Sequence, residues 1–312
     1  MKLLEVKNLY TQFNTDAGVV KAVDGVSFSV EAGKTIGIVG ESGSGKSVTA
    51  MSVIRLLDYP GEVKSGEVFY KGKDLTKASE AEMRAIRGNE ISVIFQEPMT
   101  SLNPVFTIKS QLNEAIILHQ KISVKEATEI SLNMLKSVKI ENAEEVLDYY
   151  PHQLSGGMRQ RVMIAMSLAC KPDILIADEP TTALDVIIQA EILKLMNDLR
   201  TDLNTSIIFI SHDLGVVSQM ADDVIVMING RVVEQSPIKQ LFDNPIHPYT
   251  RSLISSFLRT DIDTKVEDYV PLDEYANVTD KYDFKNFEEN RMADADWVEV
   301  DPGHFVAVNL KK

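Results

Sequence analysis

Gly40-Glu41-Ser42-Gly43-Ser44-Gly45-Lys46-Ser47 fits the spacing G-x-x-x-x-G-K-[ST]. Glycines let the backbone curl until several N–H groups face one anion, and a helix beginning at the end of the loop adds its own unpaired amides. Lys46 supplies a positive charge and the Ser47 hydroxyl an oxygen ligand for magnesium, so the chemistry on offer is the binding of a nucleotide through its phosphates. A second group is Ile174-Leu175-Ile176-Ala177-Asp178-Glu179, an apolar run that ends in two adjacent carboxylates. Beside a phosphate loop, such a strand directs Asp178 toward the magnesium shell and Glu179 toward an attacking water. Taken alone, the same two acids also fit a solvated turn. A third group is Leu154-Ser155-Gly156-Gly157-Met158-Arg159-Gln160-Arg161, where Ser155 caps a helix whose first amides again suit an anion. A structural cap would satisfy those residues equally well.

Positioning these groups takes strands that deliver them and helices that receive them. Residues 35–39 are a buried apolar strand leading into the loop, and 47–57 have helical character after it. Residues 3–30 alternate as strands, and further strand signals fall at 66–70, 91–95, 174–177 and 206–210. A helix over about 186–203 between two of them implies a parallel sheet with crossover connections. Residues 101–170 carry mostly helical periodicity and read as an inserted helical subdomain. Asn229-Gly230 between two apolar runs is a hairpin turn, and Ser236-Pro237 is expected to cap a short helix. No internal repeat is evident, so one nucleotide-binding unit is expected.

The 312 residues carry 32 Lys plus Arg against 46 Asp plus Glu, and 44% are hydrophobic, an ordinary globular composition. No apolar run approaches the length of a membrane span and no signal peptide is visible, so a cytoplasmic location is expected. Cys170 is the single cysteine, which rules out an intrachain disulfide, a thiolate zinc cage and a four-cysteine iron–sulfur cluster. From Asp261 to Gly303 there are 14 acids and 4 bases, a net of −10, leaving −4 for the rest of the chain. Such a balance does not present a basic face to nucleic acid.

The three groups, in this order, resemble the ATP-binding-cassette (ABC) ATPases. The resemblance implies an α/β fold: a P-loop NTPase cassette with a RecA-like mixed sheet, an N-terminal antiparallel β part and an inserted helical subdomain. It implies that Gly40, Ser42, Gly43, Ser44, Gly45, Lys46 and Ser47 hold ATP, that Ser47, Gln96 and Asp178 serve Mg²⁺, and that Glu179, Gln96 and His212 are catalytic. Phe13 matches the aromatic that stacks on adenine, although Tyr10 is nearby. Ser155, Gly156 and Gly157 match the signature, and Asp185 in Ala183-Leu184-Asp185 matches the D-loop; in this family both meet the nucleotide of a second cassette packed head to tail.

A narrower resemblance covers residue 1 to about residue 258. Gln96-Glu97-Pro98-Met99-Thr100-Ser101-Leu102-Asn103-Pro104, Met158 within the signature, and Asn244-Pro245-Ile246-His247-Pro248-Tyr249-Thr250 resemble the ATPase subunits of oligopeptide and dipeptide importers. Met158 resembles the D-type subunit of those systems. The implied partners are a second ATPase subunit of the F type, two integral-membrane permease subunits and an extracellular or periplasmic peptide-binding protein, with no nucleic acid. The implied location is the cytoplasmic face of the cell membrane, held peripherally, and Glu97 is expected to face the membrane subunits. Import of nickel or another small solute is the alternative within the family, and a soluble cassette ATPase without transport lies outside it. Residues 1–259 are then the nucleotide-binding domain and 260–312 an acidic C-terminal extension. Many relatives carry a cysteine cluster there; none is present in this chain, so no iron–sulfur cluster is expected. The extension reads as solvated and without chemistry, though Tyr269, Tyr275, Tyr282, Phe284, Phe287 and Trp297 leave room for docking.

Overall fold

The computed structural model describes residues 2–96, 101–182, 184–260 and 282–310, with the side chains of 257–260 left aside. Glu97 to Thr100, Ala183 and the stretch 261–281, with Tyr269 and Tyr275, lie outside the described residues. Two compact units divide the chain: residues 2–30, 35–76 and 210 onward form one, and 31–34 with 77–209 form the other.

The unit that holds the phosphate loop contains an antiparallel sheet in which Lys2–Thr15 runs against Gly61–Tyr70, from Leu4 opposite Tyr70 to Phe13 opposite Gly61. Gly18–Glu31 flanks the pair on one side and Lys73–Asp74 on the other. A second set of strands lies in the order Asp296–Asp301, His304–Val308, Arg231–Pro237, Asp223–Ile228, Thr35–Val39. Thr35–Val39 is buried throughout and pairs parallel with Asp223–Ile228, which explains its unbroken apolar run. Asn229 and Gly230 have φ of 49° and 78°, so both occupy the left-handed region that a two-residue hairpin turn requires. Parallel and antiparallel pairings thus coexist, as expected for a mixed sheet.

In the other unit Ile91–Ile94 pairs parallel with Ile174–Asp178, and Ser206–Ser211 lies on the far side of the latter. Helices Ile108–Gln120 and Val124–Ser137 pack on each other and on Gly156–Leu168, which packs beside Ile91–Ile94, and Val186–Leu203 lies in sequence between two strands. Their starts follow from local chemistry. Thr107 accepts from the Ser110 N–H, and Ser123 with Glu126 forms a capping box that satisfies two orphan amides at once. A buried Ser131 hydroxyl donates to Asn113 Oδ1 at 2.7 Å, and Asn113 Nδ2 donates to Thr128 at 2.8 Å, which fixes the first two helices against each other.

Two expectations from sequence fail. Ser236 does not cap a helix: it is still paired in the strand opposite Val224 and fully buried, and Ile238–Asp243 starts after Pro237 with no side-chain cap. The extension is not solvated over 282–310. Phe284, at the start of its Lys285–Asn290 helix, and Val306 and Val308 of its last strand are buried against Ile246. Charge counting missed this because Glu299 and Asp301 lie on the exposed face of Asp296–Asp301, while Val298 and Val300 on its other face pack with Val306 and Val308 of His304–Val308.

A polar cluster anchors that end. Glu234, fully buried, accepts from the N–H groups of Ile246 (2.9 Å) and His247 (3.0 Å) and from His304 Nε2 (2.7 Å). His247 Nδ1 accepts from the Tyr249 N–H at 3.1 Å, while the ring packs edge-on against Phe284 and Phe287. Burial, and then the charge of Arg251, push this imidazole from its ordinary value of 6.5 down to about 3. The unfolded chain therefore binds a proton that the folded one refuses, so this contribution is complete above pH 6.5 and is lost as the pH falls from there toward about 3. Melting temperature measured across that range should fall in the native protein and fall less steeply in His247→Asn; equal acid slopes would contradict the assignment.

Candidate active site

The phosphate loop leaves the strand after Val39 and enters helix Lys46–Val53 through Gly45, whose φ is 95°. A Cβ on Gly40 would stand 2.2 Å from the Met227 carbonyl oxygen, and one on Gly45 would stand 2.3 Å from that of Ala22. Only glycine fits either place. Gly43, by contrast, faces open space. The Ser44 N–H donates to the Glu41 carbonyl at 3.1 Å, and the Gly230 N–H from the hairpin donates to the Ser44 carbonyl at 3.0 Å. Lys46 Nζ donates to the carbonyls of Gly40 (2.8 Å) and Glu41 (2.9 Å), so its ammonium lies across the mouth of the curl. Among the described residues the buried Ser44 hydroxyl finds no hydrogen-bond partner. A tight curl, a helix N-terminus and one ammonium together suit a phosphate chain. Ser42 is exposed, and Ser47 is half-buried in the first turn of the helix.

His212 follows the Ser206–Ser211 strand and is exposed. Its neighbour Asp213 accepts from the N–H groups of Gly215 and Val216, which fixes the backbone there. Phe13 is half-buried with its ring over Gly61, where a Cβ would come within 2.7 Å of Cε1. Tyr10 instead lies over Gly25.

In the other unit Asp178 ends its strand buried, and Glu179 follows at φ 46°. That left-handed conformation costs a side-chain-bearing residue about 1–2 kcal/mol. Glu179 Oε2 accepts from Gln96 Nε2 at 3.2 Å and from the Thr182 hydroxyl at 2.9 Å. The structure therefore brings Gln96 and Glu179 together across a long stretch of sequence, and it adds Thr182, which sequence reasoning did not single out. A hydroxyl three residues after the acid is the signal that was available. Ser155 caps the Gly156–Leu168 helix by accepting from the Met158 N–H at 3.3 Å. A Cβ on Gly157 would come within 3.2 Å of Ile188, and the Ile188 N–H is held at 3.0 Å by the Asp185 carboxylate, the cap of Val186–Leu203. Gly156 is exposed at the same helix start. Gln160 donates to the Pro180 carbonyl, tying the signature helix to the turn that presents Glu179. Ser47, Gln96 and Asp178 offer only oxygen donors, the set magnesium prefers.

Residues 23–182 match the family model described as ABC transporter, and 233–289 match that of the oligopeptide/dipeptide transporter C-terminal region. The chain is 53% identical over 255 residues to the oligopeptide transport ATP-binding protein AppD of Bacillus subtilis, covering 81% of this chain and 78% of that one. It is 53% identical over 262 residues to the dipeptide transport ATP-binding protein DppD of the same organism, covering 84% and 78%. Among solved structures it is similar to the dimeric ATP-binding cassette MJ0796 in a post-hydrolysis state bound to ADP and Pi, with a TM-score of 0.68 and 27% identity over 75% of this chain and 98% of that one. A phosphate loop closed by obligatory glycines, a strand-end acid held by Gln96, and matches over most of the chain agree: it belongs to the ABC transporter ATPases, in the branch of oligopeptide and dipeptide transport ATP-binding proteins.

Proposed function

We propose that this ATPase energises the import of oligopeptides or dipeptides, with each residue of the candidate site in a defined role. Gly40, Ser42, Gly43, Ser44, Gly45 and Lys46 hold the phosphates of ATP, and Phe13 stacks on its adenine. Ser47, Asp178 and Gln96 hold Mg²⁺, which neutralises phosphate charge when bound. Glu179 polarises the attacking water and takes its proton, while His212 and Gln96 position that water against the terminal phosphate. The observation that carries this reading is the double hydrogen bond from Gln96 and Thr182 to Glu179 Oε2, which aims the carboxylate instead of leaving it to solvent. Acceptance of two bonds also holds Glu179 in its strained backbone conformation, a combination typical of sites where geometry matters more than local stability.

Ser155, Gly156, Gly157 and Asp185 act on the nucleotide of a second cassette, an F-type chain packed head to tail. Two permease subunits and a peptide-binding protein complete the importer. ATP closes the cassette pair and loss of the terminal phosphate reopens it, which converts hydrolysis into movement. Residues 1–259 work as the cassette and 260–312 as its extension, without an iron–sulfur cluster. Among the described residues no helix is long and apolar enough to cross a membrane, in keeping with peripheral attachment at the cytoplasmic face through the permeases.

Two substitutions in the assembled transporter test these roles. Lys46→Ala should weaken ATP binding and abolish peptide uptake. Glu179→Gln keeps the shape of the side chain and should keep ATP binding while turnover falls by well over tenfold, a barrier change above ~1.4 kcal/mol. Full ATPase activity in either variant would remove that residue from the mechanism. Labelled peptide and nickel should be offered in parallel: uptake of nickel but not peptide would transfer the assignment to small-solute import.

A further inference from the structure

Outside the catalytic groups, a set of contacts joins the C-terminal part of the chain to the phosphate loop. The N–H of Glu41, the first residue after Gly40, donates to the hydroxyl of Tyr249 at 2.8 Å. Tyr249 is almost completely buried, and burial pushes its phenol up, so the hydroxyl keeps its proton. The carboxylate of the same Glu41 meets Arg291 at 3.9 Å. Arg291 in turn packs on Phe287, its guanidinium 5.9 Å from the ring centre, and its carbonyl accepts from Asn229 Nδ2 at 2.8 Å. Asn229 belongs to the hairpin whose Gly230 N–H holds the Ser44 carbonyl. One phosphate-loop residue is thus held at its backbone from helix Pro248–Thr260, with the exposed guanidinium of Arg291 facing its side chain.

The grip is built, because each holder is itself held. Phe287 packs against Tyr249 with ring centres 6.3 Å apart and against His247 at 4.7 Å. His247 and Ile246 are fixed by the buried carboxylate of Glu234, which also accepts from His304 of the last described strand. Removing the C-terminal segment would take away Phe287, Arg291 and His304 together.

We propose that Tyr249 is a positioning residue for ATP binding, and that the segment 282–310 is a strap that keeps its hydroxyl on the Glu41 N–H and so holds the phosphate loop in its nucleotide-ready curl. A loop fixed before the ligand arrives loses less conformational freedom when phosphate binds. The strap therefore acts on ATP affinity and not on the chemical step. Residues that polarise water or hold the transition state would instead act on turnover. The inference rests on the phosphate loop as the ATP site, and Lys46→Ala serves as the control for that reading.

Tyr249→Phe deletes one hydroxyl and keeps the ring against Phe287. In the assembled transporter it should raise the KM for ATP, and in the full chain the dissociation constant for ATP, by roughly fivefold, the effect of one ordinary hydrogen bond. The kcat should stay within about twofold, since the catalytic groups are untouched. Phe287→Leu loosens the strap from the other side and should shift ATP affinity in the same direction. Melting temperature is recorded on every variant to separate grip from folding. Unchanged or tighter ATP binding in folded Tyr249→Phe would overturn the proposal, as would a fall in kcat with KM intact. If Lys46→Ala bound ATP like the native chain, the phosphate loop would not be the site and the underlying reading would fail first.

Discussion

The curl of the phosphate loop requires glycine at two places, because backbone segments approach it there with no room for a side chain. At Gly40 the intruder is the Met227 carbonyl and at Gly45 it is that of Ala22, each within 2.3 Å of where a Cβ would sit. This close approach fixes the positions of strands Gly18–Glu31 and Asp223–Ile228 against the loop, and it leaves the loop carbonyls to Lys46 and to the hairpin amide of Gly230. The Asn229-Gly230 turn must then have both residues left-handed to bring that amide into place. Asp24 reinforces the same corner, its carboxylate accepting from Arg231 at 2.6 Å.

The acid side of the chemistry obeys a different constraint. Asp178 ends a strand in which every residue is buried, and the chain must turn at once to expose the next carboxylate. The left-handed backbone at Glu179 is how it turns, and Gln96, Thr182 and the Gln160–Pro180 bond offset the strain. Helix caps perform double service nearby. Ser155 and Asp185 satisfy orphan amides of their own helices, and the same amide-rich helix starts carry the residues proposed to meet a partner's nucleotide.

Much of this was legible in the sequence for physical reasons. The loop glycines, the apolar run before them and the two-residue hairpin each specify a backbone conformation locally, so residues 35–47 and 224–234 could be read without tertiary information. The link from Gln96 to Glu179 came only through family resemblance, because nothing in either short segment encodes the other. Residues 282–310 were misread because a net charge averages over faces: Asp296, Glu299 and Asp301 obscure Phe284, Val306 and Val308, which decide where the segment goes. Tyr249 and Glu234 were invisible as a pair of anchors, since a buried glutamate announces itself only once its three donors are assembled around it. Ser236 failed as a cap for a similar reason: pairing with Val224 in the ladder outweighed its local preference for a helix start.

The central claim is that ATP hydrolysis by this chain moves peptide across a membrane. It is tested most directly by reconstituting the complete transporter in sealed vesicles, with ATP on the side of this subunit and labelled peptide with its binding protein on the other, and following phosphate release and peptide accumulation together. The account predicts that peptide accumulates against its gradient only while ATP is hydrolysed, with the two rates rising and falling in proportion. Steady ATP hydrolysis with no peptide accumulation, or accumulation that continues with a non-hydrolysable analogue, would contradict it.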